Sequence, residues 1–214
     1  MSCCRGQNYD RNFGVKTARK ELRAYQKRGP RGATGRLLRL VKAATTQPAS
    51  LLDIGGGVGV IPQEMLKAGA SQVTSVEASG AYVATTRRVA DDQGYGERWN
   101  SVEGDFVERS GEIALADVVT LDKVICCYPD MPALVSVSAR KARKLYAIVV
   151  PKDRWWARAV TNILNLVLRL LRTEFQSFVH PHAAIDAVVA EAGLRKVATE
   201  ACWIWSVRLY ARGA

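Results

Sequence analysis

The stretch Leu51-Leu52-Asp53-Ile54-Gly55-Gly56-Gly57-Val58-Gly59 decides how the rest of this 214-residue chain is read. Residues of strand character, Ser50 to Ile54, run into a glycine-dense turn, and an apolar-periodic segment from about Ile61 to Ala68 follows and stops at Gly69. Strand, glycine loop and helix in that order open a βαβ unit. Glycine allows the sharp turn and lets the backbone approach a ligand with no Cβ in the way. The first turn of the following helix presents unpaired N–H groups, which suit a carboxylate or a phosphate.

Downstream, apolar runs alternate with amphipathic stretches. A strand over Gln72 to Glu77, a helix over Ala81 to Gln93, a short strand near Trp99 to Glu103 and a continuously apolar strand over Asp117 to Leu121 all read as buried centre strands and their crossovers. A helix over Leu134 to Arg143 leads to a strand over Lys144 to Val150, which Pro151 should stop, since proline cannot donate to a central ladder. Helix Pro181 to Ala192, followed by Gly193, precedes strands near Leu194 to Thr199 and Trp203 to Ala211. Their closeness predicts an antiparallel hairpin at the sheet end. The fold expected is α/β, a doubly wound and mostly parallel sheet.

The strand ends carry the chemistry. Glu77 closes the second strand eighteen residues beyond Gly59, where an acidic side chain can accept both ribose hydroxyls of an adenosine-containing cofactor. Dinucleotide enzymes share that logic. After the third strand comes Gly104-Asp105-Phe106, where Asp105 can bind an adenine amino group and Phe106 can pack on the ring. Singly these are turn glycines, a surface Glu and a turn Asp; together, at successive strand ends, they describe a nucleoside site.

In this order the segments resemble the successive motifs of class I S-adenosylmethionine-dependent methyltransferases, from Leu51 to Tyr210. The resemblance implies a seven-stranded Rossmann-like sheet whose last strand is inserted antiparallel, with S-adenosyl-L-methionine as cofactor. It places Gly55, Gly57 and Gly59 along the methionine part, Glu77 at the ribose, and Asp105 with Phe106 at the adenine, with Ala78 also among the cofactor-binding residues. Asp53 would orient the loop or contact the cofactor amino group, and Asp122, at the end of the fourth strand, joins this set. Tyr128-Pro129 and the segment holding His180 are similar to those of bacterial methyltransferase-domain proteins related to magnesium-protoporphyrin O-methyltransferases.

Ligands of open α/β sheets sit beyond the carboxyl ends of the strands, so residues Asp122 to Asp130 should face the methyl acceptor. In-line displacement at a sulfonium carbon gains much from alignment within about 3–3.5 Å. A base is needed only for a protonated acceptor, and Tyr128, His180 or His182 could take or relay its proton. Trp155 to Leu171 combines a narrow polar stripe, Arg158, Asn162, Asn165 and Arg169, with a wide apolar face. It reads either as a core helix or, with Tyr9, Phe13, Tyr25, Trp155 and Trp156, as a lid over a flat or greasy acceptor. The division expected is a basic helical arm over 1–45 and a methyltransferase domain over 46–214 with a helical insertion at about 152–180.

Composition sets the wider frame. The net charge is +11, and residues 1–42 hold twelve Lys or Arg against Asp10 and Glu21. A basic run reports a field, not a partner: a solvated helix face, an anionic membrane, RNA or an acidic substrate all satisfy it. Nothing approaches the roughly 20 uninterrupted apolar residues of a membrane span. The opening residues lack the apolar core of a secretory signal, which predicts a cytoplasmic chain, in peripheral contact with membrane if the arm and the greasy helix act together. Five cysteines in the arrangement Cys3-Cys4, Cys126-Cys127 and Cys202 lack zinc spacing and are expected as reduced thiols with no metal. The function expected is methyl transfer to a small hydrophobic or aromatic acceptor, with oxygen favoured. The alternatives are S-methylation of a small thiol, an RNA-binding methyltransferase using the basic arm, and a cofactor-binding protein without activity. Against RNA, no Asn-Pro-Pro-Tyr-type motif follows the fourth strand.

Overall fold

A computed structural model describes residues 14–45, 49–170 and 176–213. Its strands are β1 (Ser50–Ile54), β2 (Gln72–Glu77), β3 (Trp99–Glu103), β4 (Ala116–Asp122), β5 (Ala142–Pro151), β6 (Leu194–Cys202) and β7 (Trp205–Arg212). They form one seven-stranded sheet in the order β3-β2-β1-β4-β5-β7-β6. The pairs from β3 through β5 are parallel, and β7 is antiparallel to both β5 and β6. The last strand is therefore inserted, as the family resemblance implied. The register Ile54↔Val76, Glu77↔Glu103 and Asp122↔Val149 brings the ends of the parallel strands to one edge.

Three expectations need correction. β3 is an edge strand, not a buried centre strand, and it exposes Asn100 and Glu103 while burying Trp99 and Ser101. Pro151 does not stop β5 before itself: it is the last residue of the strand and pairs with Trp205. A proline is tolerated at the end of a ladder, where one missing N–H costs little. The helix before β5 starts at Met131, earlier than expected, because Asp130 caps it by accepting the Ala133 N–H at 3.0 Å.

Alternate strand residues feed two apolar layers. Leu51, Val73, Val118, Ala147 and Leu209 face α1 (Val15–Arg28), α2 (Gly32–Ala44), α3 (Val60–Lys67) and α4 (Gly80–Asp92). Leu52, Val76, Val119, Ile148 and Tyr210 face the short α5 (Phe106–Arg109), α6 (Met131–Lys141) and α8 (His182–Glu191). The basic segment is thus amphipathic: Ala18, Leu22, Tyr25, Leu37, Leu38 and Val41 are buried, and its cations lie outside. In contrast, α7 (Trp155–Leu170) buries only Ala157. Leu37 has no exposed surface, so Leu37→Ala should cost about 2–5 kcal/mol in guanidinium unfolding through lost burial and the cavity left behind. A loss below about 1 kcal/mol would remove α2 from the core.

Candidate functional site

Each glycine of the loop answers to a different neighbour. Gly55 has φ 64° and donates its N–H to Val76 O at 2.7 Å; a Cβ there would lie 2.6 Å from Val124 Cγ2. A Cβ on Gly56 would lie 1.8 Å from Asp53 Oδ2, and one on Gly59 would lie 2.4 Å from the Trp99 ring. Gly57, at φ 57°, donates its N–H to Glu77 Oε2 at 3.1 Å. Gly55, Gly56 and Gly57 line a cavity of about 680 Å³ at the carboxyl edge of the sheet. Gly59 does not line it; this glycine serves the packing of Trp99 and a left-handed turn into α3.

The acidic residues divide into two roles. Glu77, Ala78, Asp105, Phe106 and Asp122 line the same cavity, although the first and last stand 45 positions apart in sequence. The Glu77 carboxylate accepts N–H bonds from Gly57 at 3.1 Å, Ala78 at 2.9 Å and Ser79 at 3.2 Å. With two of these on Oε1, one ordinary acceptor position remains, on Oε2. Burial raises its pKa against those three bonds. Asp105 accepts from the Val107 N–H at 2.8 Å and from the Tyr128 hydroxyl at 3.1 and 3.2 Å. Asp53 stands apart: it is wholly buried below the loop, takes the Thr120 hydroxyl at 2.5 Å on Oδ1, and lines no part of the cavity. Its Oδ2 lacks a hydrogen-bond partner among the described residues, and burial pushes its pKa up to about 7.

The far wall of the cavity holds residues that the sequence reading did not single out. Thr34 of α2 donates to Asp122 Oδ2 at 2.5 Å, and the Lys123 ammonium donates to Thr34 Oγ1 at 2.8 Å and to Asp122. Lys123 has φ 65°, unusual for a residue with a Cβ, and its ammonium sits 5.8 Å from the centre of the Trp205 ring. Glu21, Thr34, Lys123 and Trp205 all line the cavity. Lys123 lay within the strand-end segment expected to face an acceptor; Glu21 and Thr34 carry no local signal, because only tertiary packing brings them there. Cys126, Cys127 and Cys202 are free thiols, and the first two line the cavity with their Sγ atoms 3.7 Å apart.

Several expected residues lie elsewhere. Tyr128 lines the cavity, but His180 and His182 do not. His180 Nε2 is 3.2 Å from Tyr128 O, and His182 is held between Pro151 O at 2.8 Å and Arg208 at 3.1 Å. Burial lowers the pKa of both imidazoles. Tyr25 turns away from the cavity, donating to Glu64 at 2.8 Å and accepting from Lys67 at 2.9 Å. Trp155 and Trp156 stand outside it at the start of α7. Tyr9 and Phe13 fall outside the described residues.

No protein-family model and no curated protein matches the sequence. Solved structures do match. Magnesium protoporphyrin IX methyltransferase from Synechocystis PCC 6803 with bound SAH is 16% identical at TM-score 0.67, over 97% of this chain and 88% of that one. An O-methyltransferase family protein from Burkholderia thailandensis is 16% identical at TM-score 0.70, over 94% of this chain and 60% of that one. An O-methyltransferase family 2 protein from Planctomyces limnophilus, in complex with apigenin, is 16% identical at TM-score 0.68, over 94% and 63%. The chain spans about three fifths of the length of the latter two. It has the methyltransferase fold.

The buried Asp53 makes stability depend on pH in a stated direction. Its pKa is near 3.8 unfolded and about 7 folded, so between those values the folded state holds the extra proton and stability falls as pH rises. Replacing it by asparagine removes that slope. Asp53→Asn should gain on the wild type by about 1–4 kcal/mol between pH 5 and pH 8 in guanidinium unfolding. A difference that does not change with pH would mean that Asp53 titrates as an ordinary carboxylate.

Proposed function

We propose that this chain is an S-adenosylmethionine-dependent methyltransferase acting on a small hydrophobic or aromatic acceptor, with an oxygen as the favoured acceptor atom. The single observation that carries the reading is one cavity lined at once by the glycine loop, Glu77, and the pair Asp105 and Phe106. Those residues fit the cofactor. The turn from Gly55 to Gly57 leaves an uncluttered backbone for an amino-acid tail. Glu77 retains an acceptor position for a ribose hydroxyl, and Asp105 and Phe106 offer a hydrogen bond and an apolar ring to the base. When bound, the cofactor supplies an electrophilic methyl group on a sulfonium sulfur.

The chain's own part is to bind, orient and exclude water. Tyr128 fixes the Asp105 carboxylate from the side, so that its remaining lone pairs keep one direction. On the opposite wall, the Lys123 ammonium is held by Thr34 and Asp122 and is the cation suited to an anionic acceptor oxygen. An acceptor that arrives ionised needs no base, which agrees with both histidines being turned onto backbone carbonyls outside the cavity. Positioning donor and acceptor then supplies the larger part of the acceleration.

Glu77→Ala and Asp105→Ala should each weaken calorimetric binding of S-adenosylhomocysteine by about 1–3 kcal/mol, the cost of leaving a buried polar partner unpaired. A methyl-transfer assay against phenols, carboxylates and thiols should place turnover on an oxygen acceptor. Unchanged affinity in both variants, or a preference for a nicotinamide dinucleotide, would overturn the reading.

A further inference from the structure

Helix α7 meets the protein along one narrow side. Ala157 is its one buried residue, and Asn165 exchanges two hydrogen bonds with the Ser177 backbone, at 2.7 and 2.9 Å, while Arg158, paired with Asp153 at 2.6 Å, and Asn162 and Arg169 stay exposed. The apolar arc faces outward, with Val160, Ile163, Leu166 and Leu170 each more than half exposed. Such an arc is normally buried. The 16 residues of α7 span about 24 Å, and no described helix is long and apolar enough to cross a membrane.

The surroundings decide what covers it. Trp155 at the start of α7 is 81% exposed, and Trp203 in the turn between β6 and β7 is 84% exposed. The two belong to one end of the molecule, because the Lys152 N–H donates to Ile204 O at 2.8 Å. Cations crowd that end. Lys152 and Arg154 precede α7, and the turn between α1 and α2, with Lys27, Arg28 and Arg31, is tied to the same β6–β7 turn through Arg36, which donates to Ala201 O at 2.9 Å. Within 152–170 four cations, Lys152, Arg154, Arg158 and Arg169, face the single acid Asp153. A second copy would set this basic face against itself, whereas an anionic bilayer neutralises it and takes the tryptophans at the depth they favour.

We propose that the outward apolar arc of α7, with Trp155, Trp203 and the flanking cations, docks this chain on the interface of an anionic lipid bilayer, lying in the headgroup plane. Ser177, bonded to Asn165 of α7, and Trp205, two residues after Trp203, both line the cavity, so the docking face borders the site. Entry of an apolar acceptor directly from the bilayer rests on the methyl-transfer reading; docking does not.

Flotation of the full chain with phosphatidylcholine vesicles, with and without phosphatidylglycerol, tests it. The chain should float with the anionic vesicles and be released by salt. The double variant Ile163→Glu, Val167→Glu, at exposed positions, should partition at least about tenfold less while keeping the wild-type melting temperature. Lys152→Glu with Arg154→Glu, a second variant, should remove most of the salt-sensitive part. Absence of wild-type flotation, or flotation undiminished in the Ile163 and Val167 variant, overturns the proposal. A lipid-free dimer in sedimentation that this variant splits, with no flotation, assigns the face to a second copy instead. Calorimetry with S-adenosylhomocysteine on the same preparations separates the two readings, since lost flotation with retained binding refutes docking alone.

Discussion

The site depends on one buried carboxyl group. Asp53 and Thr120 are direct partners in the parallel register of β1 and β4, so the threonine hydroxyl reaches Oδ1 without leaving the sheet. Oδ2 then lies against Gly56, where even a methyl group would collide with it. Sheet register thus dictates where the loop runs, and the loop dictates where the cavity opens. Such an arrangement costs desolvation energy, which the raised pKa of Asp53 records. The cost is borne because a loop turning through Gly55 and Gly57 at positive φ has few contacts of its own to hold one conformation.

From that loop the site is assembled across the ends of β1, β2, β3 and β4, each strand delivering one group by length alone. Glu77 ends β2 and Asp122 ends β4. Asp105 begins α5 as its N-cap, which fixes its carboxylate through the Val107 N–H. Lys123, forced into the left-handed region just past β4, swings back over Trp205 toward Thr34. The opposite wall therefore comes from β7 and from the first two helices, segments that lie on either side of the run of parallel strands in sequence.

That separation explains what could be read in the chain and what could not. The strand, glycine loop and helix from Ser50 to Gly69 were legible because turn chemistry and burial act locally, and Glu77, Asp105 and Phe106 were legible because they follow strand ends. The edge position of β3 was not, since Trp99 and Val102 give an apolar run whether one neighbour is present or two. Lid roles expected of Tyr25, Trp155 and Trp156 rested on aromatic character, which says nothing of direction. Tyr25 is drawn instead to Glu64 and Lys67 on α3. The histidines illustrate the same gap: His182 lies near the proper strand end, but the carbonyl of Pro151 and Arg208 claim both its nitrogens.

Helix α7 shows why amphipathic period and orientation are separate facts. A stripe spaced by four, three and four residues defines a polar line along the helix and leaves open which side meets the protein. Here two atoms of one amide, on Asn165, match the N–H and C=O of Ser177, a bidentate contact that no apolar side chain could replace. Arg158 adds a charged anchor on Asp153. Together with the buried Ala157, Asn165 seats one side of the helix, and the arc of Val160, Ile163, Leu166 and Leu170 lies outward. The proposed docking would cover that arc, and the surplus of positive charge around it is the feature that argues for an anionic surface over a second copy of the chain.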